Sequence, residues 1–270
     1  MTSSIVNISH VGSQILIYLC ILLMLLISLT IHELGHFTFA KIFKVNVKEF
    51  SIGVGPCLMR HTNKQGMRVS FRLIPLMAYV MLDSTRIRKL YADEKDDKDY
   101  KWWMSKPPKG KLLLEQTKIW QYLLIMFGGV LFNITLFLLM YAPLFYWYQH
   151  LHLVFAPFPA IGEAFVNIGK NMAFIGKGDV FDPAQIDTII KSHQWALILL
   201  SFLAQMNLIT FIFNLIPLPP LDGWKMLSYG IQKGTKKEMN DKVEITLTII
   251  VLVLFLYIFV SGIVCDFIRH

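Results

Sequence analysis

The sequence predicts a membrane α-helical protein with four transmembrane helices and a small, membrane-associated β-hairpin or sheet on the cytoplasmic side. Of its 270 residues, 55% are hydrophobic and only 16% are charged, whereas about 25% are charged in a typical soluble domain. Several apolar runs reach the roughly 18 residues that mark a membrane-spanning helix. Between the first two runs, polar and apolar residues alternate as they do in half-buried strands. This composition excludes an ordinary soluble globule and a disordered chain.

The apolar runs define four candidate spans. The first run lacks the basic start and the small-residue cleavage site of a signal peptide. We therefore expect it to be a transmembrane helix like the others. The four predicted helices are residues 14–36, 119–146, 195–216 and 245–264.

Basic residues are distributed unevenly along the chain. Residues 41–118 carry 17 of the 26 Lys and Arg residues, and residues 222–243 carry 5. Because basic loops stay on the cytoplasmic side, we expect both segments there and both termini outside. This is the orientation of a multi-pass protein of the inner or plasma membrane. The net charge of +8 then requires no nucleic acid, because an anionic lipid bilayer is the natural partner of basic loops.

The whole chain, residues 1–270, is expected to form a single domain around these spans. Residues 46–82 contain the stretches VNVKEFSIGVG and MRVSFRLIPL around an NKQG turn, which favours a β region. Residues 83–118 are rich in charge and are predicted to be a solvated cytoplasmic linker. Residues 147–194 are expected to form a short outer loop.

The sequence His32-Glu33-Leu34-Gly35-His36 is an HExxH motif. Residues four apart share one face of a helix, so the two imidazoles can bind one metal ion. Glu33 can then reach the open position of that ion, as the base of a zinc hydrolase does. Ionisable residues at the end of an apolar span are costly to bury and are functional by default. We therefore predict a Zn²⁺ site with His32 and His36 as ligands and Glu33 as the catalytic base.

Zinc needs a third protein ligand, which leaves one position for water. Asp222 follows the third span, at the same membrane depth as His36, within NLIPLPPLDG. The prolines prevent the helix from continuing, and Gly223 permits a sharp turn. Irregular backbone at this depth is buried in protein or lines a cavity, so Asp222 is the predicted third ligand. Five other histidines fall on the outer side of the predicted topology, away from His36: His10, His150, His152, His193 and His270.

These motifs together resemble the site-2 protease family of intramembrane zinc metalloproteases, and most closely its RseP-like branch of RIP metalloproteases. Four further segments follow the family's order: FSIGVGP (50–56), RLIPLMAYVMLD (72–83), FGGVLFN (127–133) and NLIPLPPLDG (214–223). The resemblance implies an intramembrane zinc endopeptidase that cleaves transmembrane segments of single-span membrane proteins. Anti-sigma factors and remnants of signal peptides are substrates of this kind.

The resemblance also implies roles for particular residues. It gives His32, His36 and Asp222 the role of zinc ligands and Glu33 that of the base. Residues 50–83 would present a strand edge to an unwound substrate segment, which replaces the hydrogen bonds that the substrate loses. Substrate-binding roles are implied for Asn214, Pro217, Pro219, Asn133 and Tyr79.

The chain departs from the family pattern at several places, and two of these departures bear on substrate binding. The RseP-like branch carries PDZ domains in its outer loop, and loop 147–194 is too short for one. An accessory membrane partner in place of PDZ filtering is therefore compatible with the sequence. The family's Gly-Gly-Tyr is Met77-Ala78-Tyr79 in this chain, which alters the expected approach of the hairpin to a substrate.

Two other functions stay open. A catalytically inactive family member could act as a membrane scaffold, and the altered hairpin keeps this alternative open although all four core residues are present. An ion channel or transporter would carry further charged residues inside the second to fourth spans, and the sequence has none there.

Overall fold

The fold is known from a computed structural model that describes residues 2–92, 99–148, 195–237 and 239–269. The chain divides into two compact units, Met1–Thr135 and Leu136–His270. Residues 149–194, which include nearly all of the predicted outer loop, lie outside the described residues.

Among the described residues, two helices are long and apolar enough to cross a membrane. Helix α1 runs from Thr2 to Ile42, and helix α4 runs from Ile119 to Tyr148. Their apolar stretches, Leu22–Ile42 and Ile119–Ala142, contain 21 and 24 residues. At 1.5 Å per residue these lengths match the hydrocarbon core of a bilayer. The first two predicted spans therefore coincide with helices of spanning length.

In the part of the second unit that the structure describes, three more helices follow α4. They are α5 (Trp195–Leu215), α6 (Asp222–Thr235) and α7 (Asp241–Arg269). The predicted spans 195–216 and 245–264 fall on α5 and α7, so a helix is present at both places. The apolar stretch found in the described part of α5, Leu203–Leu215, is shorter than a span. That α5 and α7 cross the membrane stays a prediction.

Helices α1 and α4 touch at their backbones. A Cβ atom placed on Gly35 would lie 2.1 Å from the carbonyl oxygen of Gly128, and one placed on Gly128 would lie 2.7 Å from the carbonyl oxygen of Gly35. Both separations are far shorter than a van der Waals contact. Glycine at each position is therefore what allows the two helices to pack this closely, as small residues do in membrane bundles.

The alternating segment forms the predicted hairpin. Strands β1 (Val47–Thr62) and β2 (Arg68–Leu82) pair in antiparallel orientation. In the turn, Oδ1 of Asn63 accepts hydrogen bonds of 2.9 Å from the N–H groups of Gln65 and Met67. Gly66 has a φ of 83°, a left-handed conformation that glycine adopts without steric cost.

Residues 49–52 lie inside this sheet because each has a partner on both sides. Phe50, for example, pairs with Val80 on one side and with Val69 on the other. Residues 78–81 have partners only in β1 among the described strand pairs. They therefore form an outer edge of the sheet.

The segment 83–118, predicted to be a solvated linker, is partly folded. It contains helix α2 (Thr85–Leu90), helix α3 (Tyr100–Trp103) and a 3-10 turn at Leu114–Gln116. Residues 93–98 lie outside the described part of the chain. The expectation of a solvated loop is thus not met in the described residues, because several charged and aromatic side chains pair with the hairpin instead of with water.

Asp99 and Trp102 attach this segment to the turn of the hairpin. The Asp99 carboxylate accepts hydrogen bonds from Arg68 at 2.8 Å and from Arg60 at 3.2 Å, one from each strand. The hydrogen bond from Arg68, together with the charges of both arginines, holds the pKa of Asp99 below its ordinary value. The indole N–H of Trp102 donates to the carbonyl oxygen of Gly66 at 2.8 Å, and the guanidinium of Arg68 lies 3.6 Å from the ring centre.

Asp83 fixes the other end of the hairpin, where β2 finishes. Its side chain is almost fully buried and accepts hydrogen bonds from Nδ2 of Asn46 at 2.7 Å and from Nε of Arg88 at 2.9 Å. The ammonium of Lys48 lies 3.8 Å away. Removing one partner from such a buried ionic group is strongly destabilising. The hairpin is therefore held at both ends by the segment that follows it.

Candidate metal centre

The two histidines of the HExxH motif direct ring nitrogens to one point. His32 and His36 lie one turn apart in α1, and each is 5% exposed. Their Nε2 atoms are 3.1 Å apart. Two nitrogens that lie about 2.0–2.1 Å from one tetrahedral zinc ion are roughly 3.3 Å from each other. The pair therefore fits a shared ion with little movement of either ring.

Each imidazole has an outer partner on α4. Nδ1 of His36 donates to the carbonyl oxygen of Ile125 at 2.8 Å. Nδ1 of His32 lies 3.3 Å from Nδ2 of Asn133. Outer partners of this kind orient metal-binding imidazoles and determine which ring nitrogen carries the proton. For His36 this arrangement leaves the lone pair of Nε2 for a metal ion.

Gly129 of α4 forms a wall against both rings. A Cβ atom at this position would lie 2.5 Å from Nε2 of His36 and 2.7 Å from Nε2 of His32. Only glycine fits, because any side chain would occupy the space that the imidazole nitrogens need. The α4 backbone is thus shaped to the two potential ligands.

Asp222, the predicted third ligand, belongs to the second unit. It is the first residue of α6 and is 2% exposed. Two imidazole nitrogens and one carboxylate oxygen suit zinc and leave its fourth position for water or substrate. Lys225 lies 2.8 Å from Oδ1 of Asp222 and balances part of the carboxylate's charge.

Glu33 lies between the two histidines in the sequence and is half-buried. Its Oε2 atom accepts a hydrogen bond of 2.8 Å from the backbone N–H of Val80 in β2. The N–H of Val80 therefore points away from Phe50, its partner in β1. The outer edge of the hairpin is thus in direct contact with the predicted catalytic base.

The other predicted site residues have different surroundings. Asn133 is completely buried, and Tyr79 is half-buried in β2, where burial raises its pKa. Asn214 is half-buried and donates from Nδ2 to the carbonyl oxygen of Thr210, one turn earlier in α5. Pro217 is exposed and Pro219 is buried. The substrate-binding roles of these five residues stay predictions.

Three features of the centre were not predicted from the sequence. They are the wall at Gly129, the carbonyl oxygen of Ile125 and the N–H of Val80. The last two are backbone groups, which no residue type reveals. The consecutive glycines at 128 and 129 are a visible signal, because paired glycines in an apolar helix indicate a close helix contact.

Two imidazoles that can share an ion, with the carboxylate of Glu33 next to them in the motif, form the kind of site that is typical of a metallopeptidase. The chain belongs to peptidase family M50, whose profile matches residues 20–258. This is the site-2 protease family, so the resemblance stated above is confirmed. The family is membrane-embedded, which agrees with the two helices of spanning length.

Individual relatives carry matching names. A protein of Rickettsia conorii and one of Thermotoga maritima, both named as zinc metalloproteases, are 30% identical to the chain over 149 and 171 residues. These stretches cover 55% and 61% of the chain but 37% and 29% of the relatives. Protease RseP of Yersinia pestis is 44% identical over 61 residues, or 23% of the chain and 14% of that protein. The chain thus matches well under half of the length of each relative.

Zinc is therefore the cofactor that the relatives' names and the pair of imidazoles of His32 and His36 both indicate. The residues also fit the ion on structural grounds. The two Nε2 atoms are already at nearly the separation that a shared ion requires. Because Gly129 has no side chain, the space next to these nitrogens is not filled by a Cβ atom.

We expect Gly129→Ala to weaken zinc binding about tenfold or more, because the added methyl group overlaps the Nε2 atoms of both histidines. The α4 backbone cannot move away without also breaking the contact between Gly35 and Gly128. Zinc affinity is measured by competition with a chromophoric chelator. Gly230→Ala is the matched control, because a Cβ at this helical glycine meets nothing within 4 Å. Equal zinc affinity of the two variants would show that the wall does not shape the site.

Proposed function

We propose that the chain is an intramembrane zinc endopeptidase that cleaves transmembrane segments of single-span membrane proteins. The observation that supports this most is the pair of buried imidazoles of His32 and His36, near the end of an apolar helix and next to Glu33 in the sequence. Asp222 is the proposed third ligand. Membership of family M50 supports the peptidase activity. Anti-sigma factors and remnants of signal peptides are the proposed substrate classes, as in regulated intramembrane proteolysis.

The proposed membrane arrangement has four spans, formed by α1, α4, α5 and α7, in the inner or plasma membrane. The basic segments 41–118 and 222–243 lie on the cytoplasmic side in this arrangement. The active site then lies toward the cytoplasm and both termini lie outside. Substrates enter from the bilayer, with an accessory membrane partner in the filtering role of the PDZ domains.

In the proposed reaction His32, His36 and Asp222 hold the metal and Glu33 moves the protons. When bound, zinc polarises the scissile carbonyl group and brings the pKa of water close to neutrality. The Glu33 carboxylate accepts a proton from the attacking water at one of its oxygens. It then donates this proton to the nitrogen of the leaving amine. Its half-buried position gives it access both to a substrate and to the protein interior.

The hairpin edge at Val80 is the proposed docking strand for the substrate. A helical substrate segment has no free backbone groups, so it must unwind before cleavage, and an edge strand supplies replacement hydrogen bonds. In an antiparallel strand, the N–H and C=O of one residue point to the same side. Both groups of Val80 therefore lie on the edge that contacts Glu33, and a strand that adds there lies beside the base. Tyr79, Asn214, Pro217 and Pro219 keep their proposed role in binding the substrate.

The rival functions make different predictions. An inactive scaffold would bind membrane partners without hydrolysing them, whereas all the groups that hydrolysis needs are present here. An ion pathway would require charged residues in the other spans. A zinc assay combined with a cleavage assay on a model transmembrane substrate separates the three functions.

We expect Glu33→Gln to retain zinc and to lose cleavage of a model transmembrane substrate. The amide oxygen of Gln can still accept the hydrogen bond from Val80, so the local structure is preserved, but an amide cannot accept the proton of water. General-base catalysis contributes about 10²- to 10⁴-fold. Glu244→Gln in α7 removes a carboxylate elsewhere and serves as the control. Cleavage by Glu33→Gln at the wild-type rate would refute the mechanism.

We expect Val80→Pro to reduce cleavage about 10- to 100-fold, the effect of losing one hydrogen bond to a charged group. Proline removes the N–H on an outer edge, where no hydrogen bond of the β1–β2 ladder is lost. Val80→Ala is the matched control, because it shortens the side chain and keeps the N–H. Zinc content is measured in parallel and should not change. Equal activity of the two variants would mean that the hairpin edge does not serve the base or the substrate.

A further inference from the structure

Asn133 is a polar residue with no exposure, inside an otherwise apolar helix. Its neighbours in α4 include Val130 and Phe137, which are also buried. Burying an amide group is unfavourable unless its polar atoms are hydrogen-bonded. Complete burial also removes Asn133 from any direct contact with a substrate in this structure. The residue therefore needs an explanation other than substrate binding.

The amide group of Asn133 faces His32 and is only half satisfied. Its Nδ2 lies 3.3 Å from Nδ1 of His32. Its Oδ1 is buried and has no hydrogen-bond partner among the described residues. A half-turn of the amide about the Cβ–Cγ bond would bring Oδ1 to the place of Nδ2, next to the imidazole.

The chemistry of zinc binding selects between these two orientations. A neutral imidazole has one N–H and one lone pair. If Nδ2 of Asn133 donates to Nδ1 of His32, the proton of the ring must be on Nε2, the atom that faces His36. If Oδ1 faces the ring, Nδ1 carries the proton and donates to Oδ1. Only the second arrangement leaves the lone pair of Nε2 for a metal ion.

We propose that Asn133 is a positioning residue of the metal centre, whose Oδ1 accepts the Nδ1 proton of His32 and so holds this ligand in its metal-binding tautomer. The inference deepens the proposed function, because it assumes that His32 is a zinc ligand. It gives Asn133 a role different from the substrate-binding one that the resemblance implies.

The second histidine shows the same arrangement already in place. Nδ1 of His36 donates to the carbonyl oxygen of Ile125 at 2.8 Å. Ile125 and Asn133 lie eight residues apart in α4, about two helical turns, and therefore on one face. The helix thus offers one oxygen acceptor to each imidazole, a backbone carbonyl to His36 and a side-chain amide to His32. Only the side-chain amide of Asn133 can be removed by substitution.

The test compares two substitutions at this position. Asn133→Asp keeps an oxygen acceptor in the same place, and Asn133→Leu has similar volume but no acceptor. Losing an outer partner of a metal-binding histidine typically weakens metal binding 10- to 100-fold. We expect that loss of zinc affinity in Asn133→Leu, and affinity equal to or tighter than that of the wild type in Asn133→Asp. Zinc affinity is measured on the full chain by competition with a chromophoric chelator.

Asn207→Leu is the matched control for the loss of a buried amide. Asn207 is also completely buried in a helix, and its Nδ2 donates to the carbonyl oxygen of Leu203 in its own helix at 2.8 Å. We expect this variant to bind zinc as the wild type does. If Asn133→Leu does not fold, Asn133→Asp still decides, since a loss of zinc affinity in that variant contradicts the inference.

Other outcomes separate this inference from its alternatives. Wild-type zinc affinity in Asn133→Leu, with a raised KM for a transmembrane substrate, would overturn it in favour of substrate binding. A wild-type chain that binds zinc but cleaves nothing would refute the proposed function and leave the role of Asn133 to be decided by the affinities alone. A wild-type chain without zinc affinity would overturn both.

Discussion

The backbone contact between α1 and α4 determines the geometry of the centre. At Gly35 and Gly128 the two helices approach until a single Cβ would overlap the opposite main chain. This approach brings the next glycine, Gly129, against the imidazoles that project from α1. It also brings the acceptor at Ile125 within hydrogen-bond distance of His36. A pair of helices at the usual 8–10 Å separation would leave both rings without these partners.

Placing ionisable groups in an apolar environment costs free energy. This cost explains why the imidazoles and the carboxylate near the α1–α4 contact are hydrogen-bonded. A buried imidazole or carboxylate is tolerated when each polar atom has a partner. His36 has the backbone oxygen of α4, and Glu33 has a backbone N–H from the hairpin. The hairpin can provide this N–H only if its own position is fixed. Asp83 at its base and Asp99 at its turn supply that restraint through the arginines that they bind.

Much of the site could be predicted because it depends on local periodicity. The spacing of four in HExxH puts two imidazoles on one helix face, and their nitrogens do meet. Asp222 was inferred from a helix-breaking segment at the matching depth, and it is buried at the start of α6. Alternation of residue types around NKQG predicted the hairpin. Each of these patterns lies within a few neighbouring residues or follows from where a span ends.

The remaining features depend on contacts between distant parts of the chain, which local sequence patterns do not indicate. The segment 83–118 is predicted to be solvated because it is charged, yet Asp99 binds two arginines that only the folded hairpin places beside it. The role of Asn133 depends on which atom of a ring it faces. The role of the Val80 N–H could not be predicted from the residue type, because every residue except proline has a backbone N–H. Two of the four predicted spans, on α5 and α7, await a direct test of their membrane position.

The central claim is that the imidazoles of His32 and His36 share one zinc ion. The zinc-edge X-ray absorption spectrum of the chain, loaded with one zinc per molecule, tests it most directly. We predict only nitrogen and oxygen neighbours at about 2.0–2.1 Å, with the multiple scattering of two imidazole rings. A spectrum with one imidazole or none, or with sulfur at about 2.3 Å, would contradict it.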